Sequence, residues 1–346
     1  MPLKHYLLAG IILFWMRIPV FSQNTTYKNL VLEGGGIRGI AYGGALNELQ
    51  ERNILPGITR IAGTSAGAIQ AALLAVGYTP QEITEITFKT NIQKLSDGRL
   101  FFLGGFPRLA NQFGWYRGEN FRNLLEDLIT RKIGKSDLTF AQLHALAEQN
   151  RAKDLYVTGT SLTRQKAITF SYETYPDMKV SSAVRISMSI PLFFRAVIID
   201  QKGNIIQKPK DLSGLDVMVD GGIIANYPIH IFDQLQYLNA TDLASGKLFN
   251  SETLGIRLDT DEQISYDKNN QGLAPHNINT FKDYIGAFYA IVIEQLNRQD
   301  LKPEDWGRTI SVSTKNFSPK IKRLSEKEKT ILLSSGQEGV QSFFKR

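Results

Sequence analysis

The pentapeptide Gly63-Thr64-Ser65-Ala66-Gly67 constrains the fold more than any other feature of the chain. It stands between a β-branched run, Ile58–Ala62, and a stretch, Ala66–Val76, that is apolar almost all round. The first predicts a strand and the second a buried helix. A G-x-S-x-G at such a junction puts the serine on a sharp turn, where side chains two positions to either side would collide. Glycine at 63 and 67 answers that need. Ser65 is therefore the candidate nucleophile, with Gly63, Thr64, Ala66 and Gly67 as its elbow. The dipole of the following helix would favour negative charge developing beside it. Gly159-Thr160-Ser161 repeats the first three residues, but Thr163 stands where the second glycine would be needed and the surroundings suggest a strand hairpin. Ser161 reads as structural.

Gly34-Gly35-Gly36-Ile37-Arg38-Gly39 is a second glycine-rich turn, between the apolar run Asn29–Glu33 and a helical pattern over Gly39–Asn53. It matches the G-x-G-x-x-G of dinucleotide sites. Such a site wants an acidic residue at the end of the next strand to hold a ribose. Here that strand runs directly into the serine elbow and the acid is missing, which disfavours a nucleotide-dependent oxidoreductase. The other use of such a turn is an oxyanion hole, because amides of Gly35 and Gly36 can converge where no side chain obstructs them. Arg38 either adds positive charge there or braces the loop.

Strand, turn, helix, strand, turn, helix is the rhythm of a parallel sheet with covering helices. Further helices are expected to open at Pro80 (Thr79 as cap, Pro80 at the first position) and to run over 118–132, 139–149, 180–189, 278–298 and 325–344. Strands are expected over 154–162, 166–171, 194–199, 217–219, 254–258 and 309–312. Asp259–His276 reads as a mobile loop. No repeat, Pro/Ser linker or break in composition divides residues 23–346, so one domain is expected. Phe101–Pro107 with Phe113, Trp115 and Tyr116 suits core packing rather than a lipid-facing lid.

Residues 1–22 read differently. Lys4 and His5 precede an apolar run, Tyr6–Met16, too short for a bilayer that needs about 20 helical residues. With Val20 and Ser22 as small residues before Gln23, the segment fits a signal peptide and predicts export to a periplasm or the exterior. The net charge of +7 falls to +5 without the leader, a mild balance that reads first as an ordinary solvated face and could also favour an anionic membrane surface. No basic run with interleaved aromatics suggests nucleic acid. The chain has no cysteine, which excludes disulfides and thiolate chemistry. Its four histidines, His5, His144, His230 and His276, show no metal-ligand spacing, so no metal or other cofactor is expected.

Asp220-Gly221-Gly222 ends the apolar run Val217–Val219. By itself it is either an Asp-Gly turn or a carboxylate delivered to a site without crowding. His230 could supply a triad histidine, but Pro228-Ile-His-Ile-Phe232 reads as the start of a helix and favours a structural role.

Taken in order, Gly34–Gly39, Gly63–Gly67, Ser187-Met-Ser-Ile-Pro191-Leu-Phe-Phe194, Asp220–Gly222 and Asn226-Tyr-Pro228 resemble the signature blocks of the patatin-like phospholipases. The resemblance spans about residues 28–230. It implies a three-layer α/β/α sandwich with a mainly parallel central sheet and a Ser65–Asp220 dyad with Asp220 as base. The implied reaction is acyl transfer from a lipid or phospholipid to water through an acyl-enzyme, with an oxyanion hole of Gly34, Gly35 and Gly36 and with Arg38 beside it. Phospholipase A, lysophospholipase and carboxylic esterase activities all fit. A non-catalytic lipid-binding module that keeps the fold is the alternative, which the presence of all these residues argues against.

Overall fold

A computed structural model describes residues 27–90, 97, 105–317 and 324–345. The expected leader over 1–22 and positions 101–104 of the aromatic-rich stretch lie outside them.

The strands are β1 (Asn29–Leu32), β2 (Arg60–Gly63), β3 (Gly114–Tyr116), β4 (Asp154–Ser161), β5 (Lys166–Phe170), β6 (Leu192–Phe194), β7 (Val197–Ile199), β8 (Asp216–Asp220), β9 (Thr253–Asp259) and β10 (Thr309–Ser313). One sheet runs β10-β9-β1-β2-β4-β8-β7, with β5 also on β4. From β10 to β4 all pairs are parallel, whereas β8, β7 and β5 join antiparallel. Every residue of β1 and β9 is buried, as in a sheet covered on both faces.

Alternation along the strands sorts the core into two layers. Leu30, Leu32, Ile61, Leu155 and Val157 pack under the helices Ala41–Glu51, Ala66–Ala75 and Glu119–Ile133. Val31, Ala62 and Tyr156 face the other way, against Tyr227, Ile229, Phe232 and Tyr237. That layer is built largely from short 3₁₀ turns, Ile229–Phe232 and Leu235–Tyr237. The fold is thus the expected α/β arrangement of a central sheet between covering layers.

Helix Ala41–Glu51 crosses helix Glu326–Phe344 at close range, where a Cβ on Gly44 would stand 1.9 Å from the Leu333 carbonyl oxygen. Glycine is required there because the backbones touch.

Three local expectations change. The helix expected from Gly39 begins as a 3₁₀ turn, Gly36–Ile40, before Ala41–Glu51. Asp259–His276 is not simply a loop: Thr260 caps a helix, Asp261–Lys268, by accepting from the Gln263 amide, with two acids in the first turn to complement its dipole. The strand expected over 194–199 is two strands, β6 and β7, because β6 pairs with β3 in a separate two-stranded sheet while β7 pairs with β8. Among the described residues no helix is long and apolar enough to cross a membrane.

Candidate active site

Two strands meet end to end along one edge of β4. Gly63, at the end of β2, pairs with Val157; Asp220, at the end of β8, pairs with Gly159. They run in opposite directions and stop with Thr158 between their partners, so their C-terminal ends face each other across about two residues of β4, or ~7 Å. Thr158 Oγ1 lies 2.6 Å from Thr64 Oγ1, and Thr64 Oγ1 donates to the Ala225 carbonyl at 2.8 Å, tying the floor of the gap.

Into this gap project Ser65 and Asp220, and Ser65 Oγ donates to Asp220 Oδ2 at 2.8 Å. Ser65 has φ 50° and ψ −117°, a left-handed conformation that a non-glycine residue holds only under constraint. The elbow glycines supply it. A Cβ on Gly67 would stand 2.3 Å from the Leu32 carbonyl oxygen, and one on Gly63 2.5 Å from that of Gly67. Gly221 is equally enclosed, with a Cβ only 2.4 Å from Thr158 Oγ1.

Asp220 is buried, and burial pushes its carboxyl up to about 7, against the opposing bonds from the Gly222 amide and Ser65. The Gly222 amide donates to Asp220 Oδ1 at 2.7 Å, so Oδ2 alone faces the serine. A carboxylate with a value near neutrality can take a proton and give it back.

The three-glycine turn lies over the same gap: a Cβ on Gly34 would stand 3.3 Å from Ser65 Cβ. Its members differ in what they can offer. The Gly34 amide already donates to the Asn226 carbonyl at 3.0 Å, so Gly34 shapes the loop and has no free donor for an oxyanion. Gly35 and Gly36 stand at the cap and first position of the 3₁₀ turn, where amides have no acceptor within the turn. Arg38 Nε donates to the Gly35 carbonyl at 3.2 Å, which is the bracing role.

An apolar cavity opens from Ser65, lined by Gly36, Ile69, Leu73, Leu125, Leu128 and Met188 among others. A nucleophile at the mouth of an apolar cleft suits a long acyl chain.

A family model described as patatin-like phospholipase matches residues 30–233. The chain belongs to that family. The match takes in the glycine turn, the elbow and Asp220. Among curated relatives, this patatin-like chain is 33% identical over 270 residues to protein R571 of Acanthamoeba polyphaga mimivirus, an alignment covering 77% of this chain and 76% of that one. It is 31% identical over 207 residues to "Probable lipid hydrolase 463L" of Invertebrate iridescent virus 6, covering 59% and 63%. Among solved structures, VipD from Legionella pneumophila shares the fold with a TM-score of 0.56 at 18% identity, covering 92% of this chain and 67% of that one.

In this family member several positioning residues escaped the sequence reading. Ser187 Oγ accepts from the Ser65 amide at 2.8 Å, and the Ser189 carbonyl accepts from the Asp220 amide at 3.0 Å, so one short segment holds both dyad backbones. Asn226 Nδ2 donates to the Gly34 carbonyl at 3.1 Å and to Glu33 Oε1 at 3.3 Å. Asn297 Nδ2 donates to the carbonyls of Gly222 and Ile223 at 3.1 and 3.3 Å, and its Oδ1 accepts from the Asn226 amide. Ser187, Ser189 and Asn226 stood in the sequence as members of the signature blocks with no role attached, and Asn297 carried no mark at all.

The histidines and Ser161 lie elsewhere. His230 Nε2 meets Asp305 Oδ2 at 2.7 Å and His144 Nδ1 meets Asp154 Oδ1 at 2.8 Å. Ser161 Oγ donates to Asp216 at 3.1 Å in the β4–β5 hairpin. His230, Asp233 and Asp305 bring their ligand atoms within 4.8 Å of one another, but Arg308 donates to Asp233 at 2.6 Å and to Asp305 at 2.7 Å, supplying the positive charge itself. Trp115 and Tyr116 form β3, and Tyr116 packs against Phe193 and Phe194, whereas Phe113 is exposed.

Proposed function

We propose that this protein is a lipid acyl hydrolase working through a Ser65–Asp220 dyad. The observation that carries the reading is the 2.8 Å bond between Ser65 Oγ and Asp220 Oδ2 at the mouth of an apolar cavity. In this mechanism Asp220 takes the hydroxyl proton as Ser65 Oγ attacks the ester carbonyl carbon. The Gly35 and Gly36 amides, backed by the dipole of helix Ala66–Ala75, hold the resulting oxyanion. The tetrahedral adduct then collapses, the ester C–O bond breaks, and the departing alcohol receives the proton from Asp220. A water enters, gives a proton to Asp220 and attacks the acyl-enzyme; the carboxylic acid leaves and the proton returns to Ser65 Oγ. No cofactor is required by this sequence of steps.

Action at a lipid surface is part of the same proposal. On helix Phe281–Arg298 the side chains of Phe281, Tyr284, Phe288, Ile291 and Val292 are exposed at helical spacing, an apolar stripe on the helix that Asn297 ties to the Asp220–Gly222 turn. Such stripes mark interaction surfaces. Export rests on residues 1–22 alone and is tested by N-terminal sequencing of the protein recovered from the medium or periplasm.

The test of the dyad is labelling by an alkyl fluorophosphonate together with hydrolysis of a p-nitrophenyl ester. Wild type is expected to label once, at Ser65, and both Ser65→Ala and Asp220→Asn to lose hydrolysis by at least a thousandfold, ~4 kcal/mol in the barrier. Hydrolysis that survives either substitution removes the proposal.

A further inference from the structure

A second cavity, of about 320 Å³, lies between β7 with the residues on either side of it, the first turn of helix Glu119–Ile133 and Arg185, and neither Ser65 nor Asp220 lines it. Its wall carries Arg122, Arg185, Arg195 and Lys208 but a single carboxylate, Glu119. Glu119 is shared: Oε1 pairs with Arg195 at 2.7 Å and Oε2 with Arg122 at 3.0 Å. Arg185 is only 1% exposed. Its Nη1 donates to Ser189 Oγ and its Nη2 to the carbonyls of Arg117 and Arg195, while Nε is buried with no acceptor. The nearby Asp97 carboxylate accepts from the Gly118, Glu119 and Asn120 amides. Burial, with the opposing fields of Arg195 and Arg122, holds the Arg185 guanidinium down to about 10 against the pull of Glu119 and Asp97. Arg185 is the buried member of this set; with its Nε unpaired and Glu119 already shared between Arg122 and Arg195, the cavity wall keeps a positive balance that an anion would complete.

Apart from Gln112 and Gln207, the rest of the wall is apolar, with Phe113, Val197, Ile198, Ile206 and Leu212 among its residues. Inorganic phosphate would leave that surface unused. We propose that this cavity binds an amphiphilic phosphate, with the phosphate group among Arg122, Arg195 and Lys208 above Arg185 and a short apolar portion against Phe113 and Leu212. Guanidiniums suit a phosphate because their planar donors match its oxygens in pairs. The site also abuts the catalytic segment, since Arg185 holds Ser189 and the Ser189 carbonyl holds the Asp220 amide.

Binding is measured on the full chain carrying Ser65→Ala, so that hydrolysis cannot consume the probe and the result does not depend on the dyad. Titration calorimetry compares dihexanoyl phosphatidic acid below its micellar concentration, inorganic phosphate and dihexanoylglycerol. The phosphatidic acid is expected to bind saturably at one site, at least tenfold more tightly than either of the others. Adding Arg195→Gln with Lys208→Gln should weaken it at least tenfold. Adding Ile69→Phe instead, which fills the cavity at residue 65, should change it less than twofold. Circular dichroism checks that each variant is folded, and Arg122→Gln replaces any that is not. No saturable binding, equal affinity for inorganic phosphate, or loss with Ile69→Phe but not with the cation substitutions overturns the proposal.

Discussion

Gly63 and Asp220 stand opposite Val157 and Gly159 on a single edge of β4, and that shared edge brings Ser65 Oγ and Asp220 Oδ2, 155 positions apart in the chain, to 2.8 Å. β2 arrives parallel to β4 and β8 arrives antiparallel, so their last residues point at each other. The direct bond between Ser65 and Asp220 leaves no distance for a histidine to span.

Activity should follow the ionisation of Asp220. As general base it must be unprotonated, and burial sets its carboxyl at about 7. The ratio kcat/KM for a soluble ester is expected to rise about tenfold per pH unit below that value and to level above it. A pH–rate profile between 5 and 9, roughly spanning the transition, is the check. A profile already flat from pH 5 would show that a group with an ordinary carboxylate value controls the reaction.

The same burial should make Asp220 a cost to stability. Its folded value, about 7, lies above the unfolded 3.8, so the native state holds the proton more tightly. Stability from this group is fully present below the unfolded value and is lost as pH rises through the folded one. Asp220→Asn cannot ionise. It should melt close to wild type at pH 4 and higher than wild type at pH 8, by on the order of 2–4 kcal/mol. Urea unfolding of the two proteins at both pH values measures it, and an asparagine variant less stable at pH 8 would contradict the burial argument.

Asn226 should matter through its amide hydrogens. Nδ2 bridges the Gly34 carbonyl and the Glu33 carboxylate beneath the glycine turn. Asn226→Ala removes the bridge and should lower kcat about tenfold with little change in KM. Asn226→Asp puts an acceptor against two acceptors and should cost more, about a hundredfold, since small displacements of donors carry losses of that order. Steady-state kinetics of the pair test the ordering.

Ser187→Ala should leave the Ser65 amide buried without its acceptor. An orphaned buried amide costs about 1–3 kcal/mol. The expected outcome is a folded, less stable protein whose fluorophosphonate labelling slows by more than its thermal stability alone explains. Ser187→Thr, which retains the hydroxyl, should recover part of the labelling rate.

Ile69→Phe should shorten the preferred acyl chain. Ile69 lines the cavity behind Ser65 and is only partly buried, so the larger ring occupies cavity space without overpacking a closed core. Relative to wild type, kcat/KM on p-nitrophenyl butyrate should hold within a fewfold, while that on the palmitate ester drops at least about tenfold, within the discrimination that apolar pockets achieve. An unchanged chain-length profile would place the acyl chain elsewhere.

Local chemistry made much of this protein legible from its residues. Strand–glycine turn–helix repeats announced the parallel sheet, and Thr79 caps the helix opening at Pro80 as expected, with Glu82 completing a reciprocal cap. The elbow was readable because its five residues spell a sharp strand-to-helix turn, with a Cβ on Gly63 excluded by the Gly67 carbonyl within the turn itself; the carbonyls of Leu32 and Glu33, far off in the chain, exclude one on Gly67. Helix Asp261–Lys268 was missed although its cap and acidic first turn were in view, because Asn-rich flanks outweighed them. The break between β6 and β7 could not be read at all, since it depends on which distant strand each one pairs with.

Residue types and short spacings alone thus marked a candidate nucleophile, the glycine turn and a candidate carboxylate, because each is a pattern of a few consecutive residues. That Asp220 stands within hydrogen-bonding distance of Ser65, that the Gly34 amide is already bonded, and that Ser187, Asn226 and Asn297 brace the site were decided only by tertiary structure. The physical reason is pairing along β4: hydrogen bonds between strands far apart in the chain set where β2 and β8 end, and no local property of either segment contains that meeting point.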